Sequence, residues 1–233
     1  MSTPGQQLPL ALRYPPDQRL ENFIAAPDGA IAQLRALAEE RDSDWLYLQG
    51  ADGVGKTHLA LGACASTDAA GRHAAYLPLH AARGRLRAAL DALEGNDLVA
   101  LDGLEAVAGS HDDEVALFEF HNRMRSAGTG ILYTARATPE ALALALPDLR
   151  SRLSQCARIA LSSLDDAGRQ AVLRDRAQRR GLVLEDQALD WLLKRADRDL
   201  FSLTTLLDAL DRASLSAQRR ITVPFLRQTL GPL

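Results

Sequence analysis

Gly50-Ala51-Asp52-Gly53-Val54-Gly55-Lys56-Thr57 is the stretch on which the reading of this chain turns. It has the spacing of a phosphate-binding loop: Gly, four residues, then Gly-Lys-Thr. The residue types follow from the task. Glycines let the backbone fold tightly, so that several N–H groups face one phosphate. A helix opening at Lys56 adds the positive end of its dipole at the same spot. The Lys56 ammonium can reach the β- and γ-phosphates, and the Thr57 hydroxyl can bind Mg²⁺. Just upstream, Trp45-Leu46-Tyr47-Leu48 is a short apolar run that reads as a buried strand. Lys56 to about Asp68 reads as a helix. Strand, glycine loop and helix in this order are the setting the motif requires. Gly50, Asp52, Gly53, Val54, Gly55, Lys56, Thr57 and the adjoining His58 are the candidate nucleotide contacts.

Outward from the loop, apolar and polar stretches alternate. A helix is predicted over 28–41, with Ile31, Leu34, Leu37 and Ala38 at three- and four-residue spacing. Further strands are predicted at 74–77, 98–102, 131–134 and 158–161. Helices are predicted over 81–93 and 112–126, the latter with Val115, Leu117, Phe118 and Met124 for its buried side. Strands alternating with helices imply an α/β core: a five-stranded parallel sheet flanked by helices on both faces. After Ser163 the pattern becomes wholly helical, over 165–180, 186–196, 200–218 and 224–230. Asp165 and Thr222 stand where N-caps belong, and Gly181 is placed to stop the first of these helices. The first twenty residues hold four of the ten prolines and no helical periodicity, so they read as an extended tail. Three parts are expected: a tail over 1–20, the α/β core over 21–163 and a helical part over 164–233.

Composition excludes several classes. Of 233 residues, 47% are hydrophobic and 24% charged, which argues against a disordered or collagen-like chain. No apolar run is long enough for a transmembrane helix, and no basic-then-apolar leader opens the chain. Cys64 and Cys156 have no metal-ligand spacing, and two distant cysteines suit a reducing cytoplasm. A net charge of −3 argues against a stand-alone nucleic-acid binder. His58, His73, His80, His111 and His121 show no metal-ligand spacing with Cys or acidic residues. Cys64, Trp191 and Phe201 read as packing residues, and the pairs Arg179-Arg180 and Arg219-Arg220 as solvated faces.

Asp102 ends the third strand. Alone it would read as a strand-end cap; beside a phosphate loop it is the expected second Mg²⁺ partner with Thr57. The next position, where a self-sufficient hydrolase needs Asp or Glu to orient water, is Gly103. Glu105 lies two residues further on. Nucleotide binding is therefore expected, and efficient hydrolysis of the chain's own nucleotide is not. In the tail, Gln7-Leu8-Pro9-Leu10-Ala11-Leu12 offers one amide and three aliphatic anchors, Leu8, Leu10 and Leu12. Such a segment can lie in a hydrophobic groove on a partner, or pack on its own domain.

The whole pattern resembles the AAA+ ATPases, and among them the DnaA/Hda group. The stretches that carry the resemblance are Gln7 to Leu12, the loop from Gly50 to Thr57, and Leu146-Pro147-Asp148-Leu149-Arg150-Ser151-Arg152-Leu153. Leu192-Leu193-Lys194-Arg195, Asp197-Arg198, Leu210 to Ser214 and Ile221 to Phe225 add to it, so that it covers nearly the whole chain. The resemblance implies an AAA+ fold with a C-terminal helical lid, ADP or ATP with Mg²⁺ as ligand, and Gln7, Leu8, Leu10 and Leu12 as the contact to the sliding clamp. It matches Arg152 to the arginine finger, offered to a nucleotide on a neighbouring subunit, with Arg150 as the alternative. It matches Arg198 to the sensor 2 arginine, which contacts the chain's own nucleotide. At the sensor 1 position the chain departs, with Thr134-Ala135-Arg136 in place of a single small polar or acidic residue.

What this implies is a protein that docks on the DNA-loaded clamp and stimulates hydrolysis of ATP bound by the initiator DnaA, so that replication does not restart. Its partners would be the clamp and DnaA, with DNA reached only through the clamp. A homo-oligomer stays open and no membrane is involved. The place of action would be the bacterial cytoplasm, at the nucleoid once the clamp is loaded. Two alternatives stand beside it: a non-enzymatic adaptor that binds DnaA, and an AAA+ ATPase turning over its own ATP. The DNA-reading helix-turn-helix domain of DnaA is not expected in this chain.

Overall fold

Tyr47 points to one side of its strand, while Leu46 and Leu48 point to the other. The same two-residue alternation runs through the whole sheet. In the computed structural model, β1 (Leu46–Gln49), β2 (Ala74–Pro78), β3 (Leu98–Asp102), β4 (Gly130–Ala135) and β5 (Ala157–Ala160) pair in parallel in the order β2-β3-β4-β1-β5. The described residues are 14, 17–41, 43–195, 205–207, 209–211 and 221–230. α1 (Ala30–Glu39) precedes β1, and α2 (Lys56–Ala69), α3 (Leu86–Asp91), α4 (His111–Ala127) and α5 (Pro147–Ser154) run between successive strands. α6 (Asp166–Arg179), α7 (Asp186–Arg195) and α8 (Val223–Leu230) follow the sheet. No helix of the described residues is long and apolar enough to cross a membrane.

Both faces of the sheet are covered, as a parallel sheet requires. Tyr47, Val99, Leu101, Ile131 and Tyr133 pack under Leu86 and Leu90 of α3, Leu117 and Phe120 of α4, and Leu149 and Leu153 of α5. Leu46, Leu48, Leu98, Ala100 and Leu132 face Leu34 and Leu37 of α1, with Leu59, Ala63 and Cys64 of α2. Cys64 is a core residue, and burial pushes its thiol up to about 12. After β1 the chain crosses to the far edge of the sheet. The crevice at the strands' C-terminal ends, beside β1 and β4, is the place where such sheets bind ligands.

The helical part has its own small cores. Ala188 and Leu192 of α7 meet Leu210, Ile221, Phe225 and Leu226, and Leu173 and Ala177 of α6 meet Leu189 and Leu207. Asp165 caps α6, its Oδ1 accepting from Gly168 N at 2.7 Å, and Gly181 follows the helix at φ +67°. Trp191 packs against this core; Phe201, Arg219 and Arg220 lie outside the described residues.

Four differences from the sequence reading have physical causes. The helix predicted over 81–93 is a 3-10 turn at Leu79–Ala82 and then α3, because Gly84 at φ +73° breaks the run. α5 is not among the predicted helices: its short, largely polar sequence buries only Leu149 and Leu153. α4 turns Ala116, Leu117, Phe120, His121 and Met124 inward, leaving Val115 and Phe118 half-buried. Arg180 is not a solvated residue. Its guanidinium pairs with Asp17, and with Asp211 at 3.8 Å, which ties the end of α6 to the segment entering the core.

Candidate nucleotide site

The loop between β1 and α2 can only be built from glycine at two of its positions. At Gly50 a Cβ would stand 2.5 Å from the Leu161 carbonyl oxygen. At Gly55, φ is +99° and a Cβ would stand 2.5 Å from Cε2 of Phe23. The backbone therefore runs against β5's exit on one side and an aromatic ring on the other. Lys56 lies across the loop, donating from Nζ to Gly50 O at 2.6 Å and Ala51 O at 2.7 Å. Burial lowers its pKa, and the carboxylates of Glu105, Asp52 and Asp102 oppose that shift. The ammonium is thus held at the loop with negative charge around it.

Asp102 gathers three hydroxyls. Its Oδ2 accepts from Thr57 Oγ1 and from Tyr76 OH, each at 2.7 Å, and its Oδ1 accepts from Thr134 Oγ1. Burial first, and the Asp102 charge second, raise the Tyr76 phenol well above its ordinary pKa. Thr57 and Asp102 together present the hard oxygen donors that Mg²⁺ prefers. Among the described residues no group of three or more His, Cys, Asp or Glu side chains could hold a metal by itself. A magnesium ion here would therefore rely on phosphate oxygens for much of its coordination. Gly103, at φ +87°, donates its N–H to Thr134 Oγ1 at 2.9 Å and Thr134 O at 3.2 Å. The position after Asp102 thus has neither a side chain nor a spare donor.

Glu105 is engaged by Arg136. Its Oε2 accepts from Arg136 N at 3.2 Å, and its Oε1 lies 3.3 Å from Arg136 Nε. The same Nε pairs with Asp52 Oδ1 at 2.8 Å. One cation so joins the phosphate loop, the turn after β3 and the exit of β4.

Asp52, Lys56, Thr57, Asp102, Glu105 and Thr134 line a cleft of about 600 Å³. Phe23, Ile24, Leu164 and Val172 add apolar surface to its lining, and Asp175, Arg176 and Thr205 line it from the helical part. His58 lines it too, but its Nε2 donates to Arg19 O at 2.8 Å and its ring meets Phe23 edge-on at 5.2 Å. It braces the segment that covers the loop, and burial lowers its pKa.

The structure thus brings Asp52, Gly53, Val54, Gly55, Lys56, Thr57, His58 and Asp102 into one cleft. Arg152 is elsewhere, in the last turn of α5, half-buried, and its guanidinium makes no hydrogen bond or ion pair with the described residues. Arg150 is committed to the fold, donating from Nη2 to Leu144 O at 2.5 Å. Gln7, Leu8, Leu10, Leu12 and Arg198 lie outside the described residues. Sequence reasoning missed Tyr76 and Arg136. Their partners are 26 and 31 residues away in the chain, and only the sheet brings them together.

A doubly covered parallel sheet, a phosphate loop after β1, an acidic residue ending β3 and a C-terminal group of helices together have the architecture of the AAA+ fold. Residues 166–230 match the family model of the Hda lid domain. The fold is similar to domain III of the Thermotoga maritima replication initiation protein DnaA, with a TM-score of 0.76 at 18% identity, covering 94% of this chain and 99% of that one. AMPPCP-bound DnaA from Aquifex aeolicus gives 0.68 at 20% identity, covering 87% and 67%. The RuvB Holliday junction branch migration motor of Thermotoga maritima gives 0.64 at 19%, covering 93% and 72%. The fold is thus similar to that of DnaA domain III, and residues 166–230 are similar to the lid domain of Hda.

Proposed function

We propose that the protein binds an adenine nucleotide in its own cleft and acts on a second nucleotide held by DnaA. In this reading Gln7, Leu8, Leu10 and Leu12 dock on the DNA-loaded sliding clamp. Arg152 is then offered to the ATP of the initiator, and its guanidinium offsets charge that develops on the transferring phosphoryl group. The initiator is left with ADP, and replication does not restart. The chain's own ligand, ADP or ATP with Mg²⁺, holds core and lid together. The donors fit it: Lys56, held across the loop, would meet the phosphates, Thr57 and Asp102 would hold the metal, and the apolar side chains in the cleft lining suit a base. Mg²⁺ supplies neutralisation of phosphate charge when bound. AMPPCP in the related Aquifex DnaA supports the choice of nucleotide. Action in the bacterial cytoplasm, at the nucleoid while the clamp is loaded, belongs to the same proposal.

The observation that carries this reading is the placement of Arg152. It stands outside the cleft lining, without a hydrogen-bonding or ionic partner among the described residues. An arginine that neither braces its own fold nor faces its own ligand suits work on another subunit. Arg152→Ala is expected to abolish stimulated hydrolysis on DnaA while clamp binding stays intact; stimulation that survives refutes the assignment. A second reading, turnover of the chain's own ATP, is favoured by the complete loop and the 2.7 Å contact of Thr57 with Asp102. It predicts steady hydrolysis by the protein alone, lost in Lys56→Ala.

A further inference from the structure

Glu114 is a carboxylate with no exposed surface, and it is not among the residues that line the nucleotide cleft. It lies in the first turn of α4, on the stripe that also buries Leu117, His121 and Met124. A buried carboxylate needs full hydrogen bonding. Here every partner is a backbone amide. Oε1 accepts from Gly109 N at 2.7 Å and Ala145 N at 3.0 Å, and Oε2 accepts from Leu146 N at 2.6 Å. Two of the three donors belong to the residues that lead directly into α5. Leu146 is the N-cap position of that helix, and no side chain caps it from within; Pro147 follows.

We infer that Glu114 is a positioning residue for Arg152, setting the start of α5 and through it the aim of the guanidinium at its other end. The inference rests on the reading of Arg152 as a residue acting in trans. α5 is only Pro147–Ser154, so its direction depends on a few anchors. Leu149 and Leu153 bury its inner side, Arg150 ties back to Leu144 O, and Glu114 grips the two amides before the first turn. Arg152 sits one residue before Leu153, on a helix of about two turns, so a rotation at the entry is carried to the guanidinium. Misplacement of a reacting group by about 1 Å can cost about a hundredfold in rate.

Glu114→Gln keeps the shape but replaces one acceptor oxygen by an N–H₂ that faces backbone donors. In the full chain, amide hydrogen exchange at Ala145 and Leu146 is expected to accelerate. The maximal rate of DnaA-bound ATP hydrolysis is expected to fall about tenfold or more, on the scale of such misplacement. The protein concentration giving half-maximal stimulation, and the affinity for ADP, are expected to stay within about twofold. Leu90→Ala, a core variant on α3, serves as the control for stability alone and is expected to keep the maximal rate. If Glu114→Gln keeps the native maximal rate while Arg152→Ala loses it, the inference is overturned. So it is if exchange at Ala145 and Leu146 does not change, or if Leu90→Ala lowers the rate as much. Full stimulation by Arg152→Ala would remove the trans reading, and the inference with it.

Discussion

Acidification offers a quantitative test of the wall behind α5. His121 is fully buried; its Nδ1 lies 3.0 Å from Tyr133 OH, and its ring meets Trp45 edge-on at 4.5 Å. Burial, then the charges of Arg125 and Arg152, lower its pKa from 6.5 to about 4. The unfolded chain therefore takes up this proton at a higher pH than the native one. Stability contributed by neutral His121 is present above about pH 6.5 and is lost as pH falls toward 4. At about 1.4 kcal/mol per pH unit, the shift amounts to a loss of about 3 kcal/mol at the acidic end. Urea unfolding of the native protein and of His121→Phe, at neutral pH and in steps down to pH 4, measures it. Phe keeps the ring but leaves Tyr133 without its partner, a penalty that does not vary with pH over this range. The difference between the two proteins should close by about 3 kcal/mol across the window. A difference that stays constant with pH refutes the argument, because a native His121 that titrates normally has no slope of its own.

Three further outcomes follow from the cleft and the tail. Gly55→Ala must adopt φ +99° and push aside the Phe23 ring, so it should lose about 2 kcal/mol or more of stability and bind fluorescent ADP more weakly; native melting and affinity would refute the packing. Arg136→Ala leaves Asp52 and Glu105 without their shared cation, and should weaken ATP binding about two- to fivefold, the scale of an exposed ion pair, with recovery in an Asp52→Asn background. Loss that Asp52→Asn does not restore would point to another role for Arg136. Leu8→Ala with Leu10→Ala should remove clamp binding in a pull-down with loaded clamp and leave ADP affinity unchanged; unchanged clamp binding would overturn the tail assignment.

What can be read from the sequence is local. The glycine loop announces itself because backbone conformation demands those residues, and Asp165 and Gly181 mark α6 for the same reason. The strands are legible because burial on both faces leaves runs such as Leu98 to Leu101 without polar residues. α5 is not, because a helix of eight residues with two buried leucines has almost no periodicity, and Glu114, 32 residues upstream, anchors its entry. Glu114 does leave a signal, a carboxylate on the apolar stripe of a predicted helix. The Asp102 cluster shows the same limit. Thr57 and Asp102 are expected together from the motif, whereas Tyr76 and Thr134 arrive from neighbouring strands whose order no single sequence reveals. Arg180 escapes the sequence because its basic pair looks solvated until Asp17 and Asp211 are brought beside it.

The proposed function, that this protein acts on a nucleotide it does not itself hold, has a direct test. DnaA is preloaded with radiolabelled ATP and mixed with the full chain, with and without sliding clamp loaded on DNA, and conversion to ADP on DnaA is followed. The account predicts fast conversion only when the protein and the loaded clamp are both present. Conversion at the unstimulated rate in the complete mixture would contradict it.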